Sequence, residues 1–187
     1  LFNFEKIPAI TNNLKTIKIC GIYNNIITFC FQQDERTYFE LKKEIIQNLN
    51  SFSNNEKYEL FIILTDFCQD LIFKKTDYIN ELLKLFKMML EKKIFLDPRY
   101  EFMQMALFRN ILANAIRNKE LSWAEESVKI YSLKLNPQIR ENAFNYANAF
   151  IRFSGKKYEE ALHYSNKVTF EDFFYKKDIK QLTMQIY

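Results

Sequence analysis

Only two glycines, Gly21 and Gly155, occur among 187 residues. That scarcity constrains the fold more than any other feature. Tight hairpin turns need residues with positive φ, which glycine adopts at little cost, so two glycines do not serve the turns of a sandwich, a barrel or a doubly wound sheet. They also leave no glycine-rich phosphate loop. A single histidine, His163, removes most histidine-based catalysis and nearly all histidine-ligated metal sites. The expected fold class is all-α. A chain of this length buries about 70% of its unfolded surface, enough for a core without staples.

Apolar residues recur at helical spacing along most of the chain. Residues 13–32 carry Ile19, Cys20, Ile22, Tyr23, Ile26, Ile27, Phe29 and Cys30 around more than half a helix circumference. Residues 35–51 show a narrower stripe of Tyr38, Leu41, Ile45 and Leu49, with Asp34 as N-cap and Ser51–Asn55 as a break. Residues 55–73 are wide again, from Leu60 to Ile72, and residues 77–95 are narrower, with Thr76 or Asp77 as cap. Asp97-Pro98 reads as N-cap and first helical residue of a helix running to about Arg117. Residues 120–135 follow, Asn136-Pro137 repeats the device, and residues 138–153 and 157–168 form a further pair turning at Ser154-Gly155. A last helix begins between Phe170 and Asp178.

A helix buried on two sides carries a wide apolar stripe, and one buried on one side a narrow stripe. The alternation of wide and narrow therefore predicts a single domain over 1–187. Its helix pairs cover about 13–51, 55–95, 98–135 and 138–168, with a terminal helix to 187. The chain starts at Leu1 and stops inside a helical pattern, so it reads as part of a longer chain.

The last two pairs overlay at an offset of 34 residues. Ala113-Asn114-Ala115 falls on Ala147-Asn148-Ala149, Glu125-Glu126 on Glu159-Glu160, Ser127 on Ala161 and Ile130 on Tyr164. Asn148-Ala149-Phe150, Gly155, Tyr158-Glu159-Glu160-Ala161, Tyr164 and Val168 together resemble the tetratricopeptide repeat, whose period is about 34 residues. The resemblance covers 138–168 best and 98–135 less closely, and for 1–95 it is architectural only. It implies a right-handed superhelical stack of antiparallel helix pairs. Ala147 would sit at the small position of the first helix and Ala161 at the alanine of the second, with Phe150 and Tyr164 filling the neighbouring gaps.

The resemblance also implies that first helices line a concave groove. On that basis the peptide-groove candidates are Asn110, Asn114, Arg117, Asn145, Asn148 and Arg152. Asn110 and Asn114 share a helix face, as do Asn145 and Asn148 on the equivalent helix. Their amides offer a donor and an acceptor to a peptide backbone, and the arginines can grip a carboxylate. The family's carboxylate-clamp lysine has no counterpart here, because Asn110 and Phe144 stand in that turn.

The net charge is +4. The basic excess lies in 74–119, in Lys74, Lys75, Lys84, Lys87, Lys92, Lys93, Arg99, Arg109, Arg117 and Lys119. Such a segment reads as a solvated face or, alternatively, as a nucleic-acid or phosphate-binding stripe. Cys20, Cys30 and Cys68 are too few for a disulfide framework. Cys20 and Cys30 stand roughly 15 Å apart along one helix. A disulfide needs about 7 Å between Cα atoms, so they do not pair. All three read as buried thiols in a reducing, cytoplasmic setting.

No apolar run approaches a membrane span. No nucleophile motif or metal spacing stands out. His163 reads as a partly exposed polar residue, Trp123 as inter-helix packing, and Glu125-Glu126 and Glu159-Glu160 as first-turn acids favoured by the helix dipole. The expected function is a non-enzymatic scaffold without cofactor or metal that binds a protein or peptide. The alternatives are nucleic-acid or phosphate binding through 74–119 and a regulatory or assembly domain of a larger protein. Phe173, Phe174, Leu182 and Ile186 would leave an apolar flank for self-association.

Overall fold

A computed structural model describes residues 14–32, 34–72, 77–169 and 171–187. Lys74, Lys75, Thr76 and Phe170, together with the start of the first helix at residue 13, lie outside the described residues. The described residues are 80% helical, with no strand among them. They form two compact units, Leu1–Asp70 and Leu71–Tyr187.

In the first unit, α1 spans Leu14–Gln32, α2 Glu35–Gln47 and α3 Asn54–Leu71. Asp34 caps α2: its carboxylate accepts the backbone N–H of Thr37 at 3.0 Å. The α2 stripe is buried at Tyr38, Leu41 and Ile45, and Leu49 continues it in a 3-10 turn, Leu49–Ser51. A capping box opens α3. The Ser53 N–H donates to Glu56 Oε2 at 2.7 Å, and the Glu56 N–H returns to Ser53 Oγ at 3.3 Å. Phe67 of α3 packs on the rings of Phe29 and Tyr38, with centroids 4.9 and 4.8 Å apart.

Among the described residues, the wide stripe of α1 is covered on one side only. Ile22, Ile26 and Phe29 are buried, whereas Tyr23, Ile27 and Phe31 are exposed. Cys20 and Cys30 fall on the uncovered side, so only Cys68 is a buried thiol. The pattern expected three. Periodicity reports which side chains are apolar, and α2 with Phe67 of α3 reaches just one flank of this helix.

In the second unit, α4 spans Asp77–Glu91, α5 Met105–Arg117, α6 Leu121–Tyr131, α7 Arg140–Ser154, α8 Tyr158–Ser165 and α9 Phe173–Ile186. Against the narrow stripe expected of it, α4 buries eight of its fifteen residues. Tyr78, Glu81 and Leu85 join the apolar positions read from the sequence and widen the stripe.

Asp97-Pro98 does not start a helix. The Asp97 carboxylate takes the backbone N–H of Arg99 at 3.0 Å and its guanidinium at 2.7 Å, and the chain turns through a Tyr100 N–H bond to the Asp97 carbonyl. The Met103 N–H then bonds to the carbonyl of Lys134, and α5 begins at Met105. Asn136-Pro137 does act as cap and first residue, but of a 3-10 turn, Pro137–Ile139, that leads into α7.

Consecutive helices from α4 to α9 pack on one another, and α5 also meets α7, as α7 meets α9. The small residues Ala115, Ala147, Ala149 and Ala161 are fully buried. Their size permits the close helix crossings.

The helix ends reveal how a chain so poor in glycine turns. Lys93, Lys119 and Lys156 each take a left-handed conformation, with φ of 58°, 60° and 61°. Each donates its N–H three residues back, and the next residue donates five back, as in Lys119 to Ile116 and Glu120 to Ala115. That is the Schellman ending, with lysine where glycine is usual. Gly155 has φ −80°, an ordinary helical value that needs no glycine.

Candidate functional site

Of the six groove candidates, Asn110 is half-buried and Arg117 exposed on α5. Asn114, Asn145 and Asn148 are buried. The Asn114 amide turns inward and donates to the carbonyl of Ile79 at 3.3 Å, and Asn118 donates to the same carbonyl at 3.1 Å. Together they tie α5 to the first turn of α4. Asn148 donates to the Phe144 carbonyl one turn back at 2.9 Å. Arg152 is engaged by two carboxylates of its own chain, Glu125 at 2.7 Å and Glu160 at 3.1 Å.

Glu125 therefore serves a different purpose from that read in the sequence. Because α6 starts at Leu121, Glu125 and Glu126 fall past its first turn, whereas Glu159 and Glu160 do occupy the first turn of α8. Glu125 joins α6 to α7 through Arg152.

The basic segment is partly neutralised. Lys87 pairs with Glu120 and lies 5.0 Å above the ring of Trp123, Arg99 pairs with Asp97, and Arg109 with Asp178. Lys84, Lys92, Lys93, Arg117 and Lys119 are exposed. His163 is exposed beside the ring of Tyr164. Trp123 lines a small apolar cavity with Phe108, Ile111 and Leu112, of about 10 Å³, room for one water at most.

The most concentrated polar arrangement lies outside the six groove candidates. Three donor atoms from two side chains converge on one oxygen, Oδ2 of Asp178 in α9. Arg109 of α5 donates its Nε at 2.8 Å and sets Nη2 at 2.8 Å, and the Tyr146 hydroxyl of α7 donates at 2.7 Å. Tyr146 is buried. That burial, reinforced by the carboxylate beside it, pushes its phenol well above the ordinary tyrosine value. Its ring also meets Tyr175 edge-on at 5.8 Å.

A cleft of about 180 Å³ lies alongside, lined by Ala106, Arg109, Asn110, Asp172, Phe174 and Tyr175. Small-molecule sites typically measure about 300–1,000 Å³, so this cleft suits a side chain rather than a whole ligand. Ala106, Arg109, Asn110, Ala113 and Arg117 follow one another at helical spacing on the outward side of α5. The 34-residue offset gives no hint of the cluster, since Arg109 and Tyr146 stand 37 residues apart. The one available signal is the placing of an acid, Asp178, on the helix that follows the last pair.

The helix α9 does not carry the whole apolar flank expected of it. Leu182 is buried and Ile186 half-buried, while Phe173, Phe174 and Met184 are exposed. The helix packs on α7 and α8, buries Leu182 and leaves its N-terminal phenylalanines outside.

Among the described residues no helix is long and apolar enough to cross a membrane, and no group of His, Cys, Asp and Glu is placed to hold a metal ion. Comparison with protein-family models, with curated proteins and with solved structures gives no match.

Proposed function

We propose that the second unit is a tetratricopeptide-like stack of helix pairs that binds a protein or peptide partner on the face formed by its first helices. The observation that carries this reading is the contact pattern: α5 pairs with α6 and α7 with α8, while α5 and α7 also touch each other. Stacked helix pairs make such contacts, and stacking presents a continuous row of first helices. The outward row on α5, with half-buried Asn110 and exposed Arg117, supplies polar groups suited to a peptide. The right-handed superhelical path belongs to the same proposal.

Panning a displayed peptide library against the full chain tests it. Enriched peptides should lose about tenfold or more in affinity for Asn110→Arg, a change of about 1.4 kcal/mol. Equal binding to both chains would overturn the reading. So would retention of short nucleic acids at low salt, lost on Lys84→Glu with Lys92→Glu, because a phosphate-driven binder weakens steeply with salt and with lost cations.

A further inference from the structure

Asp178 reaches Arg109 and Tyr146 from far along the chain, 69 and 32 residues away. A half-buried arginine and a buried phenol side by side favour an anionic acceptor, since both donate and an arginine without one is costly. The edge where α5 meets α7 thus presents donors for a carboxylate, and α9, packed on α7 and α8, reaches across to supply it.

Among the described residues, α9 touches α7 and α8 but buries little of itself. Leu182 is its single buried residue in fourteen, whereas α5 buries six of thirteen. Phe173 and Phe174 at its start are 71% and 69% exposed. Residues 166–172 lie between α8 and α9 in the chain. Elements with few buried contacts open at low free energy.

We propose that α9 is an intramolecular occupant of the partner-binding face, and that the partner is an amphipathic helix that presents its own carboxylate to Arg109 and Tyr146. This rests on the proposed function above. The geometry of α9 specifies the partner's pattern. Tyr175 packs on Tyr146 three residues before the acid, and Leu182 is buried four residues after it. The partner helix carries an aromatic residue, an acid three positions later and an aliphatic residue four beyond that. The cleft beside Asn110 gives it a foothold before α9 leaves.

Two measurements on the full chain test this. Hydrogen exchange on the wild type should show α9 amides exchanging at least tenfold faster than those of α5 and α7. A labelled peptide of residues 171–187 should bind the Leu182→Glu chain at least tenfold tighter than the wild type. An Asp178→Asn version of that peptide should lose the gain. Exchange of α9 in step with α5 and α7 would overturn the proposal and make α9 an integral helix of the stack. Equal peptide binding to both chains, or to neither, would overturn it too. If Leu182→Glu abolishes the helical circular dichroism signal, exchange on the wild type decides alone. A protected α9 with library peptides still bound through Asn110 would sink this inference and leave the proposed function standing. If neither chain bound any peptide, both would fall.

Discussion

The hydroxyl of Tyr38 lies 3.1 Å from the sulfur of Cys68, and both residues are shut off from solvent. Tyr38 comes from α2 and Cys68 from α3, so their contact joins two helices at the centre of the first unit. Phe67 stacks on Tyr38 beside it, with 23° between ring planes. Burial shields this thiol from solvent.

Thiol counting follows directly. Cys20 and Cys30 are exposed and Cys68 is buried. In native buffer two thiols per chain should react promptly with an aromatic disulfide reagent, and the third only in denaturant. Three fast thiols would show that the α2–α3 contact is not closed in solution.

Arg152 connects α6, α7 and α8 through Glu125 and Glu160. Its side chain is 21% exposed and that of Glu125 33%, so this pair is sheltered, whereas Glu160 lies more open at 51%. Arg152→Ala should cost about 1–2 kcal/mol. The urea midpoint should fall with an unchanged slope. An unaltered midpoint would place these pairs among surface contacts of no consequence.

Backbone conformation makes opposite predictions at two sites. Gly21 sits inside α1, where an added Cβ meets nothing within 4 Å. Gly21→Ala should stabilise by about 0.5–1 kcal/mol. Lys119 holds φ at 60°, where a Cβ is penalised. Lys119→Gly should therefore raise the melting temperature, whereas Lys119→Val should lower it.

Acid should destabilise the fold with a definite sign. The Arg99 guanidinium holds the Asp97 carboxyl below its ordinary value, and the hydroxyl and N–H of Thr37 do the same for Asp34. The Ser53 hydroxyl, and then that of Tyr23, lowers Glu56. At these three groups the unfolded chain takes up protons first, while burial, with Asp70 nearby, raises Asp66 and opposes them in part. Stability is full above the ordinary carboxyl range of about 4 and falls as pH drops through it toward the folded values. At the alkaline end the raised phenol of Tyr146 acts in the other direction: stability is lost as pH rises past about 10. Urea midpoints from pH 7 down to 3 should decline, and Asp97→Asn should flatten that decline.

Local rules in the sequence survive wherever their partners are close in the chain. Asp34 caps α2, and the stripe Tyr38, Leu41, Ile45 and Leu49 is buried as its spacing requires. The Ser53–Glu56 capping box follows the same local rule, inside the break at 51–55. Asp97-Pro98 follows the same local rule and fails. There the carboxylate is taken by Arg99, and a bond from Met103 to Lys134 fixes the segment from 31 residues away. The site divides along the same line. Asn110 and Arg117 could be read from one helix face, but the Arg109–Tyr146–Asp178 cluster needs three helices to meet before it exists. Nor could spacing reveal that Asn114 would spend its amide on Ile79.

The exposed cysteines of α1 give the protein a built-in spectroscopic ruler. Spin labels placed on native Cys20 and Cys30 would span roughly 15 Å of straight helix, at 1.5 Å per residue. Cys68 would remain dark behind Tyr38. Without a single substitution, the distance distribution between the labels would report whether α1 stays straight, bends or frays when a partner arrives.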